Sequence, residues 1–94
     1  MSTHSTRAIP RPYKLHWETG QIVEEASCRG EFHESCLQLL QSEEGTLRVR
    51  FCYYNLEGRY QRGPLMVDEM HIEGLRSALS DQPELKSLLR KLGQ

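Results

Sequence analysis

Arginine and tyrosine side chains are concentrated between Thr46 and Arg62, and their chemistry suits an anionic ligand that carries flat rings. The segment holds four arginines against a single acidic residue, Glu57. Guanidinium groups pair with phosphate oxygens, and tyrosine rings stack on planar bases. The candidate binding residues are Arg48, Arg50, Tyr53, Arg59, Tyr60 and Arg62. Tyr54 and Trp17 are weaker stacking candidates.

The same residues also have an ordinary structural explanation. Arginines on an exposed strand keep sheets from associating edge to edge, and aromatic residues on strands are mainly packing residues. Tyr53 can therefore be a half-buried sheet residue that shares a face with Phe51. The net charge of −1 also gives the whole chain no strong positive field. The residues alone leave both explanations open.

A second group with possible chemistry consists of Cys28, His33 and Cys36, with His16 as a more distant member. Zinc binds thiolate and imidazole, but a structural site needs four ligands and normally shows a Cys-x-x-Cys pair, which this chain lacks. We expect buried or half-buried thiols, a surface histidine, and no metal or other cofactor.

No set of residues predicts catalysis. The chain has no glycine-rich phosphate loop and no nucleophile elbow, and His71 is expected to face solvent on a helix. The adjacent carboxylates Glu24 and Glu25 would point to opposite faces of a strand. We therefore expect a protein that is not an enzyme.

The candidate residues lie on a predicted strand, turn, strand and helix. In the first strand, Leu47, Val49, Phe51 and Tyr53 alternate with Arg48, Arg50, Cys52 and Tyr54, so one face can pack and the other can meet a ligand. The turn is Asn55–Gly58, and the second strand is expected within 59–67. Asp68 then caps a helix with an apolar stripe at Met70, Ile72, Leu75 and Leu79.

The remaining pattern predicts further strands and a second helix. Short strands are expected at 13–17 and 22–26, with Thr19 and Gly20 in a turn between them. A strand at 36–41 is favoured by the turn that follows it, although its leucine-rich run could equally open a helix. Leucines at 85, 88, 89 and 92 predict the last helix. The predicted fold class is α+β, with an antiparallel, curved sheet of four to five strands followed by one or two C-terminal helices. Residues 1–11 are expected to be a disordered tail, and 12–94 a single domain.

The chain from about Cys36 to its C-terminus resembles the single-stranded-DNA-binding domain of the positive cofactor four family of transcriptional coactivators, and the best-matched part runs without gaps from Leu47 to Gly63. The plant Whirly proteins share that fold more distantly, and a group of small, uncharacterised cyanobacterial proteins is also similar and is the closer likeness. The family's pattern is matched by Leu47, Val49, Arg50, Tyr53, Glu57, Gly58, Asp68, Ile72 and Leu75. The family's basic Gly-Arg-Lys-Gly loop has no counterpart, since Gly63 is followed directly by Pro64.

The resemblance implies binding of single-stranded DNA or RNA and a role in transcription regulation. It sets Tyr53 on the family's base-stacking aromatic and Arg50 on one of its basic positions. The C-terminal helix of the family contributes to a dimer, which implies that this chain is a homodimer. The missing basic loop supports an alternative, a protein-interaction or assembly factor that kept the fold. Its docking surface would be 18–44, where seven acidic residues face one arginine.

The composition of the chain also favours a homodimer and indicates the cellular compartment. A chain of 94 residues with 37% apolar residues and a mean hydropathy of −0.64 builds a small core, for which a two-fold partner is a common remedy. No apolar run approaches the roughly 18–20 residues that span a bilayer, and no signal peptide is evident. An odd count of three cysteines agrees with a reducing compartment. We expect a cytoplasmic protein with no membrane partner.

Overall fold

A single antiparallel sheet followed by two helices makes up the fold. The computed structural model describes residues 7–94. Its elements are β1 (Arg11–Lys14), β2 (Thr19–Arg29), β3 (His33–Ser42), β4 (Leu47–Asn55), β5 (Leu65–Asp68), α1 (Glu69–Leu79) and α2 (Pro83–Leu92). Each strand pairs with the next one along the chain, so the sheet has the order β1-β2-β3-β4-β5. The predicted α+β class, with an antiparallel sheet before C-terminal helices, is confirmed.

The core lies on one side of the sheet, because side chains alternate along each strand. On β3, Cys36, Gln38 and Leu40 are buried on this side, which we call the inner face. One apolar cluster consists of Tyr13, Ile22 and Leu40. A second consists of Cys36, Cys52 and Tyr54. Polar residues separate the two clusters, since Gln38 pairs in register with Glu25 on one side and with Arg50 on the other.

The predicted alternation in β4 is confirmed, and the arginine side is the more buried one. Arg50, Cys52 and Tyr54 are buried on the inner face, whereas Phe51 and Tyr53 are exposed on the opposite side, which we call the outer face. The side that packs within the chain is therefore the one that also carries the charged residues.

The predicted turn at Thr19 and Gly20 is wrong, because both residues belong to β2. The reversal lies earlier, where the amide of Leu15 donates to the carbonyl of Glu18 at 2.8 Å. Gly20 instead serves strand pairing, since a Cβ atom there would collide with the backbone of Gln41. A glycine between two strands can thus mark close approach of backbones as well as a turn.

The second strand of the predicted hairpin is shorter than expected. The Asn55–Gly58 turn forms, with the Asn55 side chain accepting from the amides of Glu57 and Arg59. Tyr60 then makes one isolated bridge to Tyr54, and regular pairing resumes only at β5. Proline at 64 cannot donate a ladder hydrogen bond, and Gly63 has a φ of +90°, so the intervening segment forms a loop.

Both helices begin and end close to the predicted positions. The Asp68 side chain accepts from the amide of His71 at 2.9 Å and caps α1, as predicted. Neither helix has a buried residue. Seven of their large apolar side chains are 40 to 82% exposed: Met70, Ile72, Leu75, Leu85, Leu88, Leu89 and Leu92. Helices this short are marginal without tertiary packing, so the apolar stripes need a covering surface. Neither helix within 7–94 has the length and apolar character that crossing a membrane requires.

The predicted tail is only partly described. Residues 1–6 lie outside the described part of the chain. Arg7 and Arg11 both contact the inner face, Arg7 through an ion pair with Glu34 at 2.7 Å and Arg11 through one with Glu25 at 2.7 Å. The guanidinium of Arg7 also lies over the ring of Tyr54, 3.7 Å from its centroid.

Candidate functional site

A cleft of about 550 Å³ opens where the β1–β2 turn approaches the loop between β4 and β5. Three segments distant in sequence contribute to it: the end of β1 with its turn, one residue of β4, and the loop. Its lining is Lys14, Leu15, His16, Trp17, Arg50, Tyr60, Arg62, Gly63 and Pro64. Pairing of Tyr60 with Tyr54 fixes the start of the loop beside β4.

The lining of the cleft combines positive charge with flat rings. Lys14, Arg50 and Arg62 are cationic at neutral pH, and no carboxylate lines the cleft. The rings of Trp17 and Tyr60 are 64 and 40% exposed. Exposed rings stack on planar groups, and guanidinium and ammonium groups bind anions. Such a lining can hold an anion attached to a planar ring.

Arg50 is the most firmly held cation of the cleft. Its Nε donates to Oε1 of Gln38 at 2.7 Å, and its guanidinium carbon lies 4.9 Å from the centroid of the Tyr60 ring. The residue is only 6% exposed. Within 7–94 no carboxylate lies at ion-pair distance from it. A buried cation without an anionic partner is costly, so this guanidinium favours a bound anion.

The buried carboxylate of Glu25, on the other side of Gln38 from Arg50, is already paired with another arginine. Nη1 and Nη2 of Arg11 donate to the two oxygens of Glu25 at 3.2 and 2.7 Å. Nε2 of Gln38 donates to Glu25 at 2.6 Å and to the Tyr54 hydroxyl at 3.1 Å. The hydrogen bond to Glu25 raises the pKa of Arg11, against the effect of burial. Gln38 therefore lies between the Arg11–Glu25 ion pair and Arg50. Arg50 has no carboxylate partner within residues 7–94.

Two of the other predicted arginines lie elsewhere. Nε and Nη2 of Arg48 donate to the carboxylate of Glu18 at 3.0 to 3.2 Å, and its Nη1 lies 3.6 Å from Asp68. Hydrogen bonds from Arg48 and Tyr13 lower the pKa of Glu18. The charge of Arg48 is therefore matched within the chain. Arg59 is exposed on the β4–β5 loop, outside the cleft.

Tyr53 lies on the outer face, away from the cleft. Its ring is 42% exposed and 5.0 Å from the ring of His33, at an interplanar angle of 58°. It lines a groove of about 580 Å³ whose walls include Leu37, Phe51 and the α2 residue Leu92. The structure thus brings Arg50, Tyr60 and Arg62 together, and it separates Tyr53, Arg48 and Arg59 from them.

One wall of the cleft consists of residues that were not prominent among the candidates predicted from the sequence. Lys14 was not among the candidate residues, His16 was named only as a distant member of the cysteine and histidine group, and Trp17 was a weaker stacking candidate. The signal was the run Lys14–Trp17, in which the basic residues Lys14 and His16 alternate with Leu15 and Trp17 beside a turn. That run lies far in sequence from Tyr60, so its proximity to the arginine-rich hairpin depends on the tertiary fold.

The cysteine and histidine group does not converge. Cys28 is exposed, whereas Cys36 is buried on the inner face. Burial raises the pKa of the Cys36 thiol to about 12 and is the main cause of the raised pKa of Cys52. Within the described residues, no three histidine, cysteine or carboxylate side chains are grouped so that they could hold a metal ion.

The acidic segment 18–44 is partly neutralised by the fold. Glu18, Glu25 and Glu34 form ion pairs with Arg48, Arg11 and Arg7, respectively. The hydrogen bond from Arg7 is the main cause of the lowered pKa of Glu34. The acidic side chains classed as exposed in this segment are Glu24, Glu31, Glu43 and Glu44.

No protein-family model, curated protein or solved structure matches this chain.

Proposed function

We propose that this protein binds single-stranded nucleic acid in the cleft between the β1–β2 turn and the β4–β5 loop. The main support for this proposal is the lining of the cleft. It holds three basic side chains and two exposed rings, and no carboxylate of residues 7–94 lines it. Arg50 and Arg62 would contact phosphate, and Trp17 and Tyr60 would stack on bases. The resemblance of the hairpin to the positive cofactor four domain supports the same chemistry, and with it a coactivator-like role in transcription regulation.

The proposed contacts differ from the ones that the resemblance implies. Arg50 is retained, but the principal rings are Trp17 and Tyr60 instead of Tyr53. Stacking contributes about 1–3 kcal/mol per base and depends little on sequence. Two rings in one cleft can therefore give measurable affinity without the basic loop of the family.

The functional unit that we propose is a homodimer. Two observations support it: neither helix buries a residue, and the outer face leaves Phe51, Tyr53 and Leu65 exposed. A second copy can supply helices for the outer face and an outer face for the helices, which is the reciprocal pattern of a two-fold interface. The cleft opens at a separate set of residues, so both contacts can exist together.

A second candidate function is assembly with another protein. The outer-face groove favours it, since an apolar groove beside an exposed helix can hold a partner helix. The acidic residues that remain exposed in 18–44 would add polar contacts. This candidate predicts capture of a specific protein and no affinity for single strands.

Fluorescence anisotropy distinguishes the two candidates. A labelled strand of about 20 nucleotides is titrated at low and moderate salt, with duplex DNA as competitor, because phosphate contacts impose a salt dependence. We expect binding that weakens with salt and resists duplex competition. Arg62→Ala should weaken it, whereas Arg76→Ala, which removes one exposed charge from α1, should not. Absence of binding at low salt contradicts the proposal and favours the protein partner.

A further inference from the structure

The depth of Arg50 restricts which phosphate can reach it. The residue is almost fully buried, and no buried side-chain nitrogen or oxygen in the described part lacks a hydrogen-bond partner. The only protein oxygen that accepts from this guanidinium there is Oε1 of Gln38, which bonds to Nε. Arg50 also interacts with the Cys52 thiol and lines the cleft, so we place an incoming anion on the part of the guanidinium that the cleft exposes.

A phosphate within a continuous strand is poorly suited to this position. A phosphodiester carries a sugar on each side, so lowering it onto a buried guanidinium requires room for two nucleosides. A terminal phosphate monoester is attached on one side only. It also carries a charge of about −1.5 to −2 at neutral pH, with three acceptor oxygens. Geometry and charge both favour the monoester at Arg50.

The remaining lining suits the nucleoside attached to such a phosphate. The exposed rings of Trp17 and Tyr60 offer stacking surfaces for a base, and Lys14 and Arg62 add positive charge around the phosphate. The cleft volume of about 550 Å³ is typical of a pocket for one small ligand. A cleft of this size holds one terminal nucleotide of a strand, with the remainder of the strand outside it.

We propose that the cleft binds a phosphate monoester carried by a nucleoside, with the phosphate on Arg50 and the base against Trp17 or Tyr60. Such a group occurs at the phosphorylated end of a single strand and in a free nucleoside monophosphate. The inference rests on the proposed function and specifies it: the protein would recognise strand ends instead of coating strands along their length.

Matched oligonucleotides test the inference. A short thymidine strand labelled at its 3′ end is titrated with a 5′-phosphate or with a 5′-hydroxyl, and thymidine monophosphate is titrated by calorimetry. We expect the 5′-phosphate to tighten binding by about tenfold or more, since it adds charge-assisted hydrogen bonds to a buried guanidinium. A 3′-phosphorylated strand labelled at its 5′ end shows whether either end is accepted. Free monophosphate that competes with the phosphorylated strand identifies the nucleotide itself as sufficient.

Variants test whether the preference for a phosphorylated strand end depends on Arg50. Arg50→Gln should abolish the difference between phosphorylated and hydroxyl strands, whereas the control Arg76→Gln should keep it. If Arg50→Gln fails to fold, Arg62→Gln replaces it, because Arg62 is exposed at the mouth of the cleft, and it should reduce the preference without eliminating it. Circular dichroism of each variant establishes folding before titration.

The outcomes separate this inference from the proposed function. Equal affinity for both strands overturns the inference and leaves single-strand binding in place. Absence of strand binding overturns the proposed function, and the monophosphate titration then decides the inference alone. Binding of thymidine monophosphate that Arg50→Gln removes would support it, and no binding of the monophosphate would overturn it.

Discussion

Arg50 and Tyr53 lie three residues apart on β4 and point to opposite faces of the sheet. Arg50 is buried on the inner face beneath a cationic cleft, and Tyr53 is exposed on the outer face beside an apolar groove. An odd separation along a regularly paired strand has this effect, because side chains alternate. One nucleotide therefore cannot contact both residues, and we propose different roles for the two faces, ligand binding for the inner face and self-association for the outer face.

Removing rings from the two faces should have different effects on strand binding. Tyr60→Ala is expected to weaken binding by about 1–3 kcal/mol, because it removes a stacking surface of the cleft. Tyr53→Ala should leave the affinity within experimental error, since its ring lies on the other face. Anisotropy titrations of both variants at one salt concentration provide the comparison. A larger loss of affinity in Tyr53→Ala than in Tyr60→Ala would indicate that the strand binds on the outer face.

Disrupting the apolar stripe of α2 should dissociate the dimer. Leu88 is 62% exposed in the single chain, and a charge at this position would be buried against the second copy. Leu88→Glu is expected to shift the mass measured by light scattering from that of two chains to that of one. Lys86→Glu, on the same helix, is the charge control and should leave the dimer intact. A wild-type protein with the mass of one chain would contradict the proposed assembly.

Gln38 should contribute strongly to stability, since its amide connects Glu25, Tyr54, Arg50 and Cys52 in the core. Gln38→Ala leaves several buried polar groups with fewer partners, and we expect a loss of about 2–4 kcal/mol in the free energy of unfolding. Gln41→Ala, at an exposed position of the same strand, is the matched control and should change stability little. Urea denaturation monitored by circular dichroism measures both. Equal stabilities of the two variants would show that the network contributes little.

Acid should destabilise the fold through Glu18 and Glu34. Hydrogen bonds from Arg48 and Tyr13 lower the pKa of Glu18, and one from Arg7 lowers that of Glu34, from an ordinary value of 4.5. A carboxylate with a lowered folded-state pKa stabilises the fold above its unfolded pKa. That contribution is lost as the pH falls below about 4.5 and through the folded value. Urea unfolding between pH 6 and 3 should show the decline.

A variant identifies the carboxylate responsible for the acid effect. Glu18→Gln should flatten the decline of stability with pH, whereas Glu44→Gln, which alters an exposed turn residue, should not. An unchanged slope for Glu18→Gln would mean that other groups cause the acid sensitivity.

The three cysteines should differ sharply in reactivity. Cys28 is exposed, whereas Cys36 and Cys52 are buried, with thiol pKa values raised mainly by burial. The thiolate is the reactive form, so a disulfide reagent at pH 8 should modify one thiol rapidly and the other two only after unfolding. The chromophore that the reagent releases measures the number of thiols that have reacted. Rapid reaction of all three thiols in the native protein would contradict the burial of Cys36 and Cys52.

The sequence predicts the local parts of this fold well, because they depend on neighbouring residues. Alternation in β4, the Asp68 cap and the leucine spacing of α2 are set within one strand or one helical turn. The short β5 was harder to predict, since Pro64 and Gly63 interrupt a run that otherwise has strand-forming residues.

The cleft could not be predicted from local pattern, because its walls come from segments that meet only in the folded chain. The burial of Arg50 also depended on tertiary context. An arginine on a strand is usually exposed, and only the pairing of β3 with β4 places Gln38 where it can hold the guanidinium. The sequence placed Arg50, Tyr60 and Arg62 in one group with Tyr53, Arg48 and Arg59, and only the fold shows that the first three line the cleft.

The most direct measurement uses the single tryptophan of the chain, Trp17, as a reporter inside the cleft. Titration with a thymidine strand of about 20 nucleotides should quench its fluorescence in a saturable manner, because a base stacked on the indole alters its emission. The quenching should reverse as salt is added. Tyr53→Ala should give the same curve, and Arg62→Ala a weaker one. Fluorescence that does not change at low salt, in a protein whose anisotropy shows bound strand, would place the nucleic acid elsewhere and contradict the cleft as its binding site.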